Sequence, residues 1–218
     1  MKTVLGPNRT DKSRHFALLH LLMIIDLLIL KFISLCSILF GVSIQQAAWR
    51  LIRGIMPILW ESYPDARLWI VGQQPGAKLK AQSDGERIVV TGRVEDVRPY
   101  LSGASVGCVP LSAGSGTKYK VLEALSAGMP LVCTPLAIEG LELEDGKHLL
   151  LGNDDKELAS ALMRLLEQPD LGKEITCQGN EWVQQRYSWD VILPRMDGWL
   201  DALKAMPFRR DGSEGGFA

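Results

Sequence analysis

The sequence has little of what a metal or redox centre needs. Its four cysteines, Cys36, Cys108, Cys133 and Cys177, lie far apart and form no zinc-ligand or redox-pair spacing. Cys108 and Cys133 sit inside apolar runs, where cysteine acts as a small buried hydrophobe, and all four read as reduced thiols of a cytosolic domain. An excess of one charge is also missing. Lys and Arg number 24 against 25 Asp and Glu, a net charge of −1, which gives no reason to expect nucleic acid as a partner. Neither GxxxxGK[ST] nor GxGxxG occurs, so the P-loop and the dinucleotide fingerprint are excluded. The YxxxK-type pair of sugar-nucleotide epimerases is absent as well, and no internal repeat is visible.

What is present is a chain of 218 residues with 47% apolar and 22% charged residues, enough for a substantial core. Three parts differ in composition: an apolar N-terminal segment 1–44, a body 45–206, and a short glycine-rich tail 207–218 expected to be disordered. Residues 15–44 are far more apolar than anything after them, and three readings are open. They are long enough for a membrane helix, which gives a membrane association through 16–41. Asp26 and Lys31 inside the run oppose that, at roughly 2.5–3.5 kcal/mol each near the membrane centre. So do Lys2, Arg9, Lys12 and Arg14 ahead of it, which favour a cytoplasmic N-terminus and would export the body. Alternatively SILFGV, residues 37–42, is a first sheet strand behind an apolar helix. In the third reading residues 1–40 replace a normal domain through truncation or a frame change. A cleavable signal peptide is excluded by the length of the run and the lack of a small-residue cleavage site.

From residue 45 onward, short β-rich runs alternate with helical ones. QQAAWRLIRGIMPILWESY has apolar residues at helical spacing, and Pro57 is expected to kink or end its regular part. ARLWIVG, RIVVTG, SVGCVPL, PLVCTPL and KHLLLG read as strands. Helices are expected over 95–104, 117–127, ending at Gly128, and 155–168, with Asn153 and Asp154 as N-caps. Two more close the chain near 170–185 and 189–204, with Trp189 expected to anchor the last by packing and His148 structural or exposed. Near-continuous apolar strands alternating with helices predict a doubly wound parallel α/β sheet covered on both faces. Ligands of such sheets sit beyond the carboxyl ends of the strands, where the 110–117 loop lies.

That loop, with the helix after it, carries the chemistry: GSGTKYKVLE, residues 114–123. Gly114 and Gly116 let the backbone turn tightly and expose its amides, and a helix N-terminus favours an anion. Ser115 and Thr117 add hydroxyls, and Lys118 and Lys120 add cations. Glu123 is a poor phosphate ligand but a good bidentate acceptor for a ribose diol. Together these suit a nucleoside diphosphate, while a glycine turn before a solvated helix stays open as the plain reading. Glu139, in the AIEGL loop on the same side of the sheet, reads equally as a site residue or a solvated turn.

Several ordered blocks resemble a known family: PDARLWIVG, VTGRVEDVRPYLSGASVGCVPL, GSGTKYKVLEALSAGMPLVCTPLAIEGL and RYSWD. Residues 47–204 resemble the C-terminal, nucleotide-sugar-binding half of a retaining GT-B glycosyltransferase of glycosyltransferase group 1. The resemblance implies that Glu123 holds the donor ribose, that Gly114, Ser115, Gly116 and Thr117 line the diphosphate, and that Lys118 or Lys120 offsets its charge. It places the backbone of Arg93, Val94 and Glu95 beside the base. Many members carry a glutamate eight positions before the ribose ligand, where this chain has Ser115; the branch with a glycine-rich loop commonly lacks it.

The expected activity is transfer of a sugar from a nucleoside-diphosphate sugar to a glycan or lipid-linked hydroxyl with retention, in the cytoplasm and without a metal or other cofactor. No catalytic residue is assigned. The family's arginine–lysine pair has no match, because Arg50 and Arg53 lie within the first helix, and His15 and His20 have no assigned role. The residues ahead of the body are too few for an acceptor domain. The alternatives are therefore a non-catalytic nucleotide-binding module, one half of a split enzyme whose N-terminal half is a separate chain, or a membrane-anchored accessory protein.

Overall fold

A computed structural model describes residues 34–39, 42–113 and 118–205, and the side chains of 45–113 and 118–201. Six strands, β1 (Ser34–Leu39), β2 (Arg67–Gly72), β3 (Ile88–Gly92), β4 (Val106–Val109), β5 (Leu131–Cys133) and β6 (Leu150–Leu151), form one sheet. Their order is β3-β2-β1-β4-β5-β6 and every pairing is parallel. This is the doubly wound sheet that the alternating pattern predicts. The sheet takes in Ser34–Leu39, which overlaps the SILFGV stretch of the apolar segment.

The strand pleat sorts side chains into two cores. Leu68 and Ile70 of β2, Val106 and Cys108 of β4 and Val132 of β5 face one layer. It is built from α1 (Val42–Arg50), α2 (Met56–Ser62) and α7 (Asp155–Glu167). Val71, Leu131 and Cys133 face the other layer, with α4 (Arg98–Gly103), α5 (Tyr119–Ser126) and α8 (Pro169–Tyr187). The alternation is the period of two that a strand imposes, and burial on both faces explains the continuous apolar runs. Short helices α3 (Ala77–Lys80) and α6 (Pro135–Ile138) fill connections, and α9 (Trp189–Ala205) ends the described chain. Burial pushes the thiols of Cys108 and Cys133 far above the usual range, so both are core residues and poor nucleophiles.

The helical run does not end at Pro57, although its regular α-helical part is interrupted just before it. A π turn, Leu51–Ile55, joins α1 to α2, and the Met56 N–H donates to the Leu51 carbonyl five residues back. Pro57 then stands in the first turn of α2, where its missing N–H costs nothing. The widened turn absorbs what a regular helix could not. Caps elsewhere follow expectation. Asp154 accepts from the backbone N–H groups of Lys156 and Glu157. At the end of α5, Gly128 has φ +72°, and the Met129 N–H donates to Ala124 O, a Schellman closure.

Trp189 does not anchor the last helix: it is 71% exposed. The aromatic packing expected of it falls to Tyr187, whose ring lies 5.5 Å from that of the buried Trp182. Among the described residues no helix is long and apolar enough to cross a membrane, and residues 1–33 lie outside them.

His148, the one histidine among the described residues, is buried, and its Nδ1 accepts the Glu144 N–H at 3.0 Å. Burial, then the nearby Lys147 and Arg186 cations, lower its pKa against a smaller opposing pull from Glu144. A lowered pKa means the unfolded chain binds the proton first. Stability is therefore complete above the ordinary histidine range and falls as pH drops through it. Urea midpoints should decrease between about pH 7.5 and about pH 5.5. His148→Gln, which keeps an acceptor for Glu144 N–H, should flatten that slope.

Candidate functional site

In the order 3-2-1-4-5-6 the connections leave β1 and β4 in opposite directions. The crevice between their carboxyl ends is where doubly wound sheets take ligands. β4 ends at Val109, and the chain then runs through Pro110 and Leu111 toward α5. The predicted diphosphate loop thus leaves the sheet at the switch point. Gly114, Ser115, Gly116 and Thr117 lie outside the described residues.

The described part of the stretch forms a short constellation. Lys118 caps α5, half-buried, its carbonyl accepting from the N–H groups of Val121 and Leu122. Lys120 Nζ donates to Glu123 Oε2 at 2.7 Å, one turn along the same helix. The two side chains are 24% and 38% exposed, so the carboxylate is held by a cation yet open to solvent on one side. An ion pair this exposed adds little stability. Tyr119 between them is exposed.

Two residues with long-range contacts hold the root of the loop. Thr134, at the end of β5 and buried, donates from Oγ1 to Leu111 O at 2.8 Å and from its N–H to Val109 O. Arg50, which lies within the first helix as the sequence places it, reaches the carboxyl end of β4 through its side chain. Its guanidinium donates to Pro110 O at 3.3 Å, to Asn153 O at 2.9 Å and to the Asp155 carboxylate. A Cβ on Gly54 would fall 1.9 Å from Asp155 Oδ2, so a larger residue there would make the Asp155 carboxylate shift against Arg50. One guanidinium therefore fastens together α1, β4 and the start of α7. Thr134 had a signal in the PLVCTPL block; Arg50 had none.

Arg93 and Val94 follow β3 at the sheet edge, exposed and half-buried respectively, beside exposed Glu95. Glu139 lies on the other side of β4, exposed in a turn after α6, with Gly140 at φ +83° and the Leu141 N–H donating to Ile138 O. The strand order thus spreads the predicted residues along one edge of the sheet instead of gathering them at a point.

A wholly parallel sheet with helices on both faces defines the doubly wound class of α/β fold, whose ligands sit at the switch point. The chain belongs to the glycosyl transferases group 1 family, whose model matches residues 38–168. It is 33% identical over 143 residues to the phosphatidyl-myo-inositol mannosyltransferase of Mycobacterium leprae, covering 63% of this chain and 38% of that protein. The chain thus spans well under half the length of this relative. Anabaena HepE in complex with UDP superposes with a TM-score of 0.65 at 15% identity, over 90% of this chain and 54% of that one. The C-terminal domain of a glycosyl transferase group 1 family protein from Francisella tularensis superposes with a TM-score of 0.55 at 15% identity. That match covers 72% of this chain and 86% of that one.

Proposed function

We propose that the chain is the donor-binding, C-terminal half of a retaining GT-B glycosyltransferase. It holds a nucleoside-diphosphate sugar at the carboxyl ends of β4 and β3, on the cytoplasmic side. The observation that carries this reading is that the chain leaves β4 at the switch point and enters α5 from Lys118, with Glu123 presented about one turn into that helix. Strands lie about 4.8 Å apart, so the Arg93–Val94 backbone stands roughly 14 Å from the loop root across three intervals. A nucleoside diphosphate laid along the strand ends covers that span, with its base at Val94, its ribose at Glu123 and its diphosphate at the loop amides and Lys118. The superposition on HepE bound to UDP supports the same class of donor, and the Francisella domain supports the assignment to a C-terminal half.

The chemistry in a complete enzyme is transfer of the glycosyl group to a hydroxyl of a glycan or lipid-linked acceptor, with retained configuration. Loop amides and Lys118 stabilise the departing diphosphate, so no metal takes part. In this reading Glu139 meets the sugar. Isothermal titration of the purified chain with UDP and with GDP, in buffer containing EDTA, tests this reading. Saturable binding of one nucleotide is expected, and a folded chain that binds neither rejects it.

A further inference from the structure

Three successive carbonyls where the chain leaves β4 are each taken by a group from far along the sequence. Val109 O accepts the Thr134 N–H at 3.3 Å, Pro110 O the Arg50 guanidinium at 3.3 Å, and Leu111 O the Thr134 hydroxyl at 2.8 Å. Connecting segments run over the surface, where their carbonyls can be left to water. Three in a row held from β5 and α1 mark a stretch of backbone whose direction is fixed. Thr134 forgoes another bond to do this. It stands at the N-cap of α6, where a threonine hydroxyl ordinarily accepts from its own helix, yet it makes no such bond. Its own place is firm. It is 3% exposed, and just before it the Cys133 carbonyl accepts the Gly152 N–H at 3.0 Å.

A trans peptide is planar, with its C=O and N–H pointing opposite ways. Holding Leu111 O against Thr134 therefore aims the Ser112 N–H away from Thr134. β5 and the crevice between β1 and β4 lie on opposite sides of β4. Ser112 is exposed, and among the described residues nothing accepts its N–H. We propose that Thr134 is a positioning residue, which turns the Ser112 N–H toward the crevice as a hydrogen-bond donor to the diphosphate of the nucleotide. This contact, which presupposes the nucleotide site proposed above, adds to it a phosphate ligand ahead of the glycine-rich stretch. An N–H set in place before the ligand arrives needs little further ordering on binding.

Titration calorimetry of the wild type, Thr134→Val and Thr134→Ser against UDP and against uridine tests this, with GDP and guanosine in their place if the chain prefers guanine. Valine keeps the buried volume and loses the hydroxyl, whereas serine keeps the hydroxyl and loses a methyl, so both variants lose some stability. Only Thr134→Val should weaken UDP, by at least about threefold, while Thr134→Ser keeps the wild-type affinity. Uridine, which has no phosphate, should bind all three alike. Unchanged UDP affinity in Thr134→Val, with the wild type binding, overturns the proposal and leaves the nucleotide site standing. UDP affinity that falls equally in the serine variant, or uridine affinity that falls with it, overturns the proposal as well, since binding would then follow stability alone. A folded wild type that binds neither nucleotide overturns the nucleotide site and this contact together.

Discussion

Gly179→Ala destabilises the domain by about 2–3 kcal/mol, whereas Gly172→Ala in the same helix stabilises it by about 0.5–1 kcal/mol. Both glycines lie buried in α8, where alanine is intrinsically the better helix former, and helical propensity alone gives the two substitutions the same sign. The surroundings separate them. A Cβ at position 179 would lie 2.7 Å from the carbonyl oxygen of His148 and 2.9 Å from Leu125 Cδ2, and a backbone oxygen cannot swing aside. At position 172 the nearest atoms, Leu165 O and Pro130 Cγ, are 3.8 and 3.9 Å away, ordinary contact distances. Position 179 is thus where α8 closes on α5 and on the turn into β6, and it holds His148 against Trp182, whose rings are 6.0 Å apart. Urea denaturation of the two variants checks the opposite signs, and equal signs would mean that the helix sits farther from His148 than described.

Arg50→Met should cost about 2–3 kcal/mol, and Asp155→Asn added to it should recover part of that loss. The guanidinium makes three bonds to partners 60, 103 and 105 residues away, so its removal strands two carbonyls and one carboxylate together. The Arg50 and Asp155 side chains are 18% and 36% exposed, and water tempers the penalty relative to a fully buried pair. The residual loss in the double variant measures the carbonyl contacts alone. Recovery to wild-type stability would show that Pro110 and Asn153 gain nothing from Arg50.

The contrast between these positions shows what a sequence carries locally. Strands β2 and β4 were legible because they are largely buried between the two layers, which leaves unbroken apolar runs closed by glycine or proline. Helix α7 was legible because its Asp154 cap and its apolar period lie within one stretch. The sheet order was open, since an apolar run such as SLCSIL reads equally as a buried strand or part of a longer helix. The π turn ahead of Pro57 was not legible, because nothing local marks such a turn. Trp189 misled because an amphipathic pattern says that a stripe seeks cover, not whether its own domain supplies it. Arg50 escaped for a similar reason, as its partners come from β4 and α7. In the candidate site, the helix, its cap and Glu123 stand where the motif put them, but the pairing of Glu123 with Lys120 was not foreseen. Both side chains had been assigned to the ligand, one to phosphate and the other to ribose. The structure has them meet each other first.

The central claim turns on that glutamate, and the most direct measurement compares wild type and Glu123→Ala by titration calorimetry against UDP and GDP. Losing a charged hydrogen-bonding partner should cost about 1.5–3 kcal/mol, a weakening of at least about tenfold, with the melting temperature nearly unchanged because Glu123 is 38% exposed. Wild-type binding that survives the substitution intact would contradict the account, since α5 would then present its carboxylate to solvent and Lys120 but not to a ribose.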